Sequence, residues 1–268
     1  MPRDNREERW IQIREFEIEK MHPHSKITIN AKPGVGKSVL INDILKYMRH
    51  LIPTGMYVGG TSDTNSDIEG IFPSLFIHNE WNEASHHKYI QRQRLNKRSM
   101  QHEILPNSAI ILDDMTQNRN ILKSKPIIGY FKNGRQWCNL MIIALQNAGD
   151  LPREIRHMAD YIFIGREISK EKRDTLYDCF IPSSISRADF DDLMDQITEN
   201  HTWLVVHNRT HSNEIEDIIF WYRANPHIEK LPDGTDRLIY NFRFGCDEIW
   251  RWSDARLDPN YEEREDDY

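Results

Sequence analysis

The sequence predicts an α/β fold in which helices flank a mostly parallel central sheet. Short apolar runs recur along the chain, and helix-like segments separate them, as in βαβ units. The runs are continuous rather than alternating, which is typical of strands buried on both faces of a parallel sheet. The first run leads into a glycine-containing turn, and two later runs end in polar side chains. In open parallel sheets such features meet at the carboxyl edge, where ligands bind.

Composition narrows the class of protein. A chain of 268 residues accommodates one large domain with small extensions. Its formal net charge of −7 predicts no general attraction to nucleic acid, so any such contact requires a local basic patch. We expect no transmembrane segment, because no apolar run approaches the length that spans a bilayer. The three scattered cysteines predict reduced thiols in an intracellular compartment.

The first predicted strand, at residues 27–30, leads into a phosphate-binding loop. Gly-Lys-Ser ends the loop and opens an apolar helix, which is the required context for this motif. Backbone N–H groups of such a loop surround phosphate oxygens, and the helix dipole adds positive potential. Lys37 is predicted to reach the β- and γ-phosphates of ATP, and the Ser38 hydroxyl to bind Mg²⁺. The predicted nucleotide-binding residues are Ala31, Lys32, Pro33, Gly34, Val35, Gly36, Lys37, Ser38 and Val39.

Two later strands end in the side chains that an ATPase site requires. The run 108–112 precedes Asp113, predicted to hold Mg²⁺ through its water shell, and Asp114, predicted to orient or polarise the attacking water. The alternative is that this pair caps a helix. The run 140–145 ends in Gln146, which either touches the γ-phosphate or only terminates the strand. A strand that ends in a carboxylate, next to a strand that ends in a polar side chain, is typical of additional-strand (RecA-type) P-loop ATPases, which form rings.

The remaining segments predict an antiparallel edge and two extensions. Strands at 202–207 and 218–222 are separated by a turn-like stretch, which predicts a hairpin at the C-terminal edge of the sheet. Helices are predicted over 170–180 and 186–197, and the second begins at Ser186 with a pattern close to a capping box. We divide the chain into an N-terminal lead-in (1–25) with an edge strand, a P-loop ATPase domain (26–222), and a C-terminal extension (223–268) with an acidic tail.

Two stretches, 84–102 and 119–135, are basic within an otherwise acidic chain. The first has no acidic residue, so it suits contact with a DNA phosphate backbone, although a solvated helix explains the same pattern equally. The cations predicted to contact double-stranded DNA are Lys88, Arg92, Arg94, Lys97 and Arg98.

Several motifs, in their order and spacing, resemble those of a known family. They are Ala-Lys-Pro-Gly-Val-Gly-Lys-Ser at 31–38, Ile-Ile-Leu-Asp-Asp at 110–114, Asn-Gly-Arg at 133–135 and Leu-Pro-Arg-Glu-Ile-Arg at 151–156. They are similar to the genome-packaging ATPases of nucleocytoplasmic large DNA viruses, the poxvirus-type members of the FtsK–HerA superfamily, over residues 15–222. The sequence departs from the pattern at Ala31, which replaces the first glycine, and at Gln136, where histidine is expected.

The resemblance implies a motor that hydrolyses ATP, with Mg²⁺, to drive double-stranded viral DNA into a preformed capsid. Such motors act as homo-oligomeric rings in which a neighbour's arginine reaches the γ-phosphate, and Arg135 and Arg156 are the candidates. Capsid or internal membrane proteins of the virion are the implied partners, and the virion and the host cytoplasm the implied locations. Three alternatives stay open: a ring ATPase moving DNA in another process, a nucleotide-switched assembly factor, and a small-molecule phosphotransferase.

Overall fold

The structure of the protein, a computed structural model, describes residues 12–48, 51–52, 54–59, 68, 72, 76–98, 107–114 and 120–226, with residues 92 and 95–98 described by their backbone alone. The strands are β1 (Arg14–Glu15), β2 (Lys26–Asn30), β3 (Thr54–Gly59), β4 (Ile77–His78), β5 (Ser108–Asp113), β6 (Asn139–Leu145), β7 (Tyr161–Ile164), β8 (Thr202–His207) and β9 (Ile219–Arg223). The helices are α1 (Lys37–Met48), α2 (Glu83–Arg98), α3 (Lys125–Asn133), α4 (Arg153–Arg156), α5 (Lys170–Phe180), α6 (Arg187–Ile197) and α7 (Ile215–Ile218).

The described strands form one sheet in the order β1-β9-β8-β7-β2-β6-β5-β3-β4. Strands β7, β2, β6, β5, β3 and β4 run parallel to one another, whereas β8 is antiparallel to both β7 and β9. The predicted α/β class, the parallel centre and the antiparallel edge are thereby confirmed. Strand β6 lies between β2 and β5, so an additional strand separates the phosphate-loop strand from the carboxylate strand.

Two apolar layers cover the central strands, because successive side chains of a strand point to opposite faces. On β6, Ile142 and Ala144 belong to one layer, and Met141 and Ile143 belong to the other. Helix α1 packs on the first face through the stripe that begins at Leu40. Helices α2, α3, α5 and α6 contribute to the second face. The sheet is thus buried on both sides, which explains the continuous apolar runs in the sequence.

The lead-in joins the same sheet. Strand β1 pairs with β9 in parallel, which confirms the predicted edge strand, although only two residues form it. Phe16 follows it and is buried, with its ring centroid 5.3 Å from that of Tyr161 and 5.8 Å from that of Phe163. Residues near the N-terminus therefore anchor the antiparallel edge to the central strands.

The predicted helices at 170–180 and 186–197 are present as α5 and α6, and Ser186 is the N-cap of α6. The predicted hairpin is an antiparallel pair, but the short helix α7 lies in its connection, so β9 begins one residue later than expected. None of the helices in the described ranges is long and apolar enough to cross a bilayer. The predicted C-terminal extension lies outside the described residues from 227 onward, as do residues 1–11.

Candidate nucleotide-binding site

The parallel register brings the predicted loop, the two carboxylates and Gln146 to one edge of the sheet. Asn30 at the end of β2 pairs with Leu145 at the end of β6, and Leu112 of β5 pairs with Ile143 of β6. The phosphate-binding loop, the two carboxylates and Gln146 therefore all follow strands that end at the carboxyl edge, as expected for a ligand site in such a sheet.

The loop between β2 and α1 has the backbone conformation that its glycines permit. Gly34 and Gly36 have φ values of +81° and +103°, a region that other L-residues rarely adopt. The Lys37 ammonium lies over the loop, and its Nζ donates to the carbonyl oxygens of Ala31 (3.0 Å) and Lys32 (3.3 Å). Burial lowers the pKa of Lys37, and the Asp113 and Asp114 carboxylates oppose this effect. Burial is the larger effect, so the surroundings as a whole disfavour the charge of Lys37, while the two carboxylates support it.

Asp113 is the buried carboxylate of the site, with 8% of its surface exposed. Its Oδ2 accepts a hydrogen bond of 3.0 Å from the Tyr57 hydroxyl on β3. Burial raises the pKa of Asp113, while the Tyr57 hydrogen bond and the Lys37 charge act in the opposite direction. Tyr57 was not identified from the sequence. The available signal was its position near the end of a strand that could lie beside the carboxylate strand.

Asp114 and Gln146 are in direct contact. Gln146 Nε2 donates to Asp114 Oδ1 at 2.6 Å, which links the tips of β5 and β6. Asp114 has a left-handed φ of +49°, a conformation that aspartate tolerates better than most residues. The alternative, in which the two carboxylates cap a helix, falls on residues 115–119, which lie outside the described ranges.

The oxygen donors at this edge fit Mg²⁺. Mg²⁺ retains several waters and typically binds one or two protein oxygens together with substrate phosphates. Ser38 opens α1 and offers a hydroxyl, and Asp113 offers a carboxylate at the end of β5. Within the described ranges no cluster of three or more His, Cys, Asp or Glu side chains forms an all-protein metal cage. This donor set suits a metal that arrives with a nucleotide.

Neither predicted trans-acting arginine belongs to the site of its own chain. Arg135 precedes β6, at the opposite edge of the sheet, and its Nη2 donates to Asp160 Oδ1 at 2.6 Å. The backbone N–H of Lys26 donates to Asp160 Oδ2 at 2.8 Å. Arg156 on α4 donates through Nε and Nη2 to the carbonyl oxygens of Leu151 (2.7 Å) and Gly149 (3.0 Å). Both arginines hold local structure, and their action on a neighbouring subunit stays a prediction.

The basic helix α2 is exposed at two of its predicted DNA-contacting residues. Lys88 and Arg94 are exposed, and the Arg94 guanidinium lies 5.9 Å from the centroid of the Trp137 ring. The opposite face buries Tyr89 and Gln93. The side chains of Arg92, Lys97 and Arg98 lie outside the described residues.

Gly165, which directly follows β7, supports the loop from behind. Its N–H donates to the Asn30 carbonyl oxygen at 2.9 Å. A Cβ atom at this position would lie 2.7 Å from Val35 Cγ1 and 2.9 Å from Ala31 Cβ. The methyl group of Ala31, where the motif usually has glycine, is therefore accommodated because residue 165 has no side chain. Local sequence patterns do not reveal this contact.

Similar proteins occur in large DNA viruses. Protein 075L of Invertebrate iridescent virus 6 is 34% identical over 239 residues, covering 88% of each chain. Protein 088R of Invertebrate iridescent virus 3 is 30% identical over 268 residues, covering 95% of this chain and 97% of its own. Protein L437 of Acanthamoeba polyphaga mimivirus is 30% identical over 221 residues, covering 80% and 78%. No family model matches the chain.

Solved structures share the fold. B204, the DNA-packaging ATPase of Sulfolobus turreted icosahedral virus, superposes with a TM-score of 0.56 at 13% identity, covering 76% of this chain and 100% of B204. ATPases 2 and 3 of EssC from Geobacillus thermodenitrificans give a TM-score of 0.53 at 13% identity, covering 90% of this chain and 46% of that one. At these identities the likeness establishes the fold, which is that of the P-loop ATPases.

Proposed function

Because the chain belongs to the family of large-DNA-virus proteins that includes 075L and 088R, and folds as a P-loop ATPase, we propose that it hydrolyses ATP to drive double-stranded viral DNA into the capsid. The observation that supports hydrolysis most directly is the hydrogen bond between Gln146 and Asp114. This contact sets a carboxylate and an amide side by side at the edge where the phosphate-binding loop opens.

Each site residue has one role in the proposed reaction. Lys37 and the loop N–H groups bind the β- and γ-phosphates, and Ser38 and Asp113 are the residues that would hold Mg²⁺. When bound, the ion would supply positive charge that offsets the negative charge developing on the phosphate. Asp114 orients and polarises the attacking water, and Gln146 fixes the direction of its carboxylate. Gln146 lies at the end of β6, the strand between β2 and β5. At this position it would contact the γ-phosphate and lose that contact when the phosphate leaves.

The packaging role draws its support from the solved structure of similar fold, which is a DNA-packaging ATPase, and from the viral relatives. We propose that the chain works as a homo-oligomeric ring that contacts the DNA backbone, so binding is insensitive to sequence and weakened by salt. Capsid or internal membrane proteins would dock the ring at assembly sites in the host cytoplasm and in the virion. The proposed DNA-contacting residues are Lys88, Arg92, Arg94, Lys97 and Arg98.

A neighbouring subunit would complete the site with an arginine that stabilises charge in the transition state. Arg135 and Arg156 are the proposed residues, and each would have to exchange its present partners. For Arg135 that partner is the Asp160 carboxylate, and for Arg156 it is the carbonyl oxygens of the segment before α4. If Arg156 acts in trans, Arg156→Lys retains charge but loses the planar fork, so we expect ATP turnover to fall while nucleotide binding persists.

The test is ATP hydrolysis at low salt, with and without duplex DNA of random sequence. We expect DNA to stimulate the wild type, added salt to remove the stimulation, and Lys37→Ala to abolish turnover. Asp114→Asn should bind ATP but not hydrolyse it. Lys170→Ala, which removes an exposed lysine at the start of α5, is the matched control and should behave as the wild type.

Other outcomes favour other functions. Turnover that ignores DNA would contradict a motor acting alone. Full biological function of Asp114→Asn would favour a nucleotide-switched assembly factor. Turnover stimulated by a small metabolite and indifferent to DNA would favour a phosphotransferase.

A further inference from the structure

The amino edge of the sheet, opposite the candidate nucleotide site, carries a second group of charged side chains. Strands β2, β6 and β7 begin at this edge and the antiparallel β8 ends there, because Lys26 pairs with Met141 and Tyr161 pairs with His207. The length of the strands separates this edge from the phosphate-binding loop. The charged residues at these strand ends are Lys26, Arg135, Asp160 and Arg209.

Asp160 lies at the centre of the group and is 5% exposed. Its Oδ1 accepts from Arg135 Nη2 at 2.6 Å, and its Oδ2 accepts from the Lys26 backbone N–H at 2.8 Å. The Lys26 Nζ atom lies 3.8 Å from Oδ2, which is farther than a hydrogen bond, although Lys26 is only 8% exposed. Buried ammonium groups are normally paired and hydrogen-bonded. The carboxylate therefore compensates the charge of Lys26 only in part.

Arg209 adds a third cation from the turn after β8. The Asn208 backbone N–H donates to the Asp160 carbonyl oxygen at 2.9 Å, which holds this turn against the segment before β7. The Arg209 guanidinium lies beside the Tyr161 hydroxyl, and the Tyr161 ring stacks on His207 with centroids 5.1 Å apart. Arg209 is half-buried, so its position is set by packing at the strand ends.

The charges of this group do not cancel. Lys26, Arg135 and Arg209 carry three positive charges against one on Asp160, in a chain whose net charge is −7. The effect is visible at His22 in the lead-in. Burial lowers the pKa of His22 most, and His24, Arg209 and Arg135 each lower it further by more than Asp160 raises it. The amino edge is therefore locally positive, which favours a bound anion.

This positive edge continues into the basic helix α2. Arg135 and Trp137 lie in the same turn between α3 and β6. Gln93 Nε2 donates to the Trp137 carbonyl oxygen at 3.1 Å, and the Arg94 guanidinium lies 5.9 Å from the centroid of the Trp137 ring. Neighbouring strands are roughly 4.8 Å apart, so the distance across the edge from β6 to β8 is about 14 Å. A single small anion does not span this distance, whereas duplex DNA presents one phosphate charge for about each 1.7 Å of its axis.

We propose that the amino edge of the sheet binds the phosphate backbone of double-stranded DNA and extends the contact surface of α2, a proposal that rests on the packaging function proposed above. The guanidinium groups of Arg135 and Arg209 would bind phosphate oxygens, and Lys26 would add positive charge beneath them. DNA and ATP would then lie at opposite ends of β6, which begins after the Arg135 turn and ends before Gln146. Arg156 would be the remaining candidate for the arginine that acts on a neighbouring subunit.

The experiment measures binding of a short fluorescent DNA duplex of random sequence by anisotropy over a series of salt concentrations. The wild type is compared with Arg209→Gln, which removes the charge, and with Arg209→Lys, which retains it. Arg209 is the primary position because Arg135 also supports Asp160. Arg223→Gln is the matched control, since Arg223 is exposed at the end of β9, at the carboxyl edge of the sheet.

We expect Arg209→Gln to weaken DNA binding about tenfold at low salt, as loss of a hydrogen bond to a charged group does. The slope of log Kd against log salt concentration should fall by about 0.9, the value for one phosphate contact. Arg209→Lys should retain the wild-type slope, because lysine also pairs with phosphate. Arg223→Gln should bind DNA as the wild type does.

Three results would overturn the amino-edge proposal and leave the packaging function in place. The first is an unchanged slope in Arg209→Gln and Arg135→Gln, while Arg94→Gln on α2 lowers it. The second is an equal loss in Arg223→Gln, which would indicate a general effect of charge. The third is an equal loss in Arg209→Lys, which would indicate a structural role for Arg209. Failure of the wild type to bind DNA at low salt would remove the packaging function and this inference together.

Discussion

Asp43 connects helix α1, which follows the predicted phosphate-binding loop, to strands at the far side of the sheet. It lies on α1, is 0% exposed, and accepts hydrogen bonds through Oδ2 from the Tyr222 hydroxyl (2.6 Å) and the Asn225 N–H (3.0 Å). Its Oδ1 is buried and has no hydrogen-bond partner among the described residues. Burial, the largest effect, raises the pKa of Asp43 from 3.8 to about 6, although both hydrogen bonds oppose the rise.

The direction of the resulting pH dependence follows from proton linkage. A carboxyl group whose pKa is higher in the folded state binds its proton more tightly there, so stability decreases as the pH rises from 3.8 to about 6. The whole decrease is about 3 kcal/mol, at about 1.4 kcal/mol for each pH unit between the two pKa values. Between about pH 5 and about pH 7.5 the same relation gives a decrease of about 1.4 kcal/mol.

Urea unfolding of the wild type and of Asp43→Asn at these two pH values tests the prediction. The difference in unfolding free energy between the two proteins isolates Asp43, because other titrating groups contribute equally to both. We expect the wild type to lose about 1.4 kcal/mol relative to Asp43→Asn between about pH 5 and about pH 7.5. Asp192→Asn, which removes an exposed carboxylate on α6, controls for the loss of one negative charge. A difference that does not change with pH would refute the raised pKa of the buried Asp43 carboxyl.

Three further changes test separate contacts. Gly165→Ala places a methyl group 2.7 Å from Val35 Cγ1. We expect calorimetry to show weaker ATP binding, and urea unfolding to show that the free energy of unfolding falls by about 1–3 kcal/mol. Unchanged ATP affinity would show that residue 165 does not support the loop. Gln146→Ala removes the hydrogen-bond donor to Asp114 and should lower kcat by roughly a hundredfold while the Kd for ATP stays the same. An unchanged kcat in steady-state kinetics would contradict the role assigned to Gln146. Ser186→Ala removes the acceptor of the Asp189 N–H at the start of α6 and should cost about 1 kcal/mol in urea unfolding, whereas Ser186→Asp should retain the cap.

Strand β5 shows what a local sequence pattern can predict about this fold. A continuous apolar run ending in a carboxylate predicts both a buried strand and the edge at which that strand ends, and the structure confirms both for 108–113. Strand β7 at residues 161–164 and helix α5 at 170–180 have the predicted bounds, because each lies between clear termination signals. The glycines of the phosphate-binding loop likewise have the left-handed backbone that their motif requires.

The sequence by itself determined the α/β class, the position of the glycine-containing loop after β2 and the order of the polar strand ends, since each depends on residues within about one element of each other. Tertiary structure alone decided which distant residues complete the site: Tyr57 beside Asp113 and Gly165 behind the loop. It also placed Arg135 at the opposite edge of the sheet, against Asp160. These contacts follow from strand order and register. The hydrophobic pattern of the sequence specifies which residues are buried, but it does not specify which strands become neighbours.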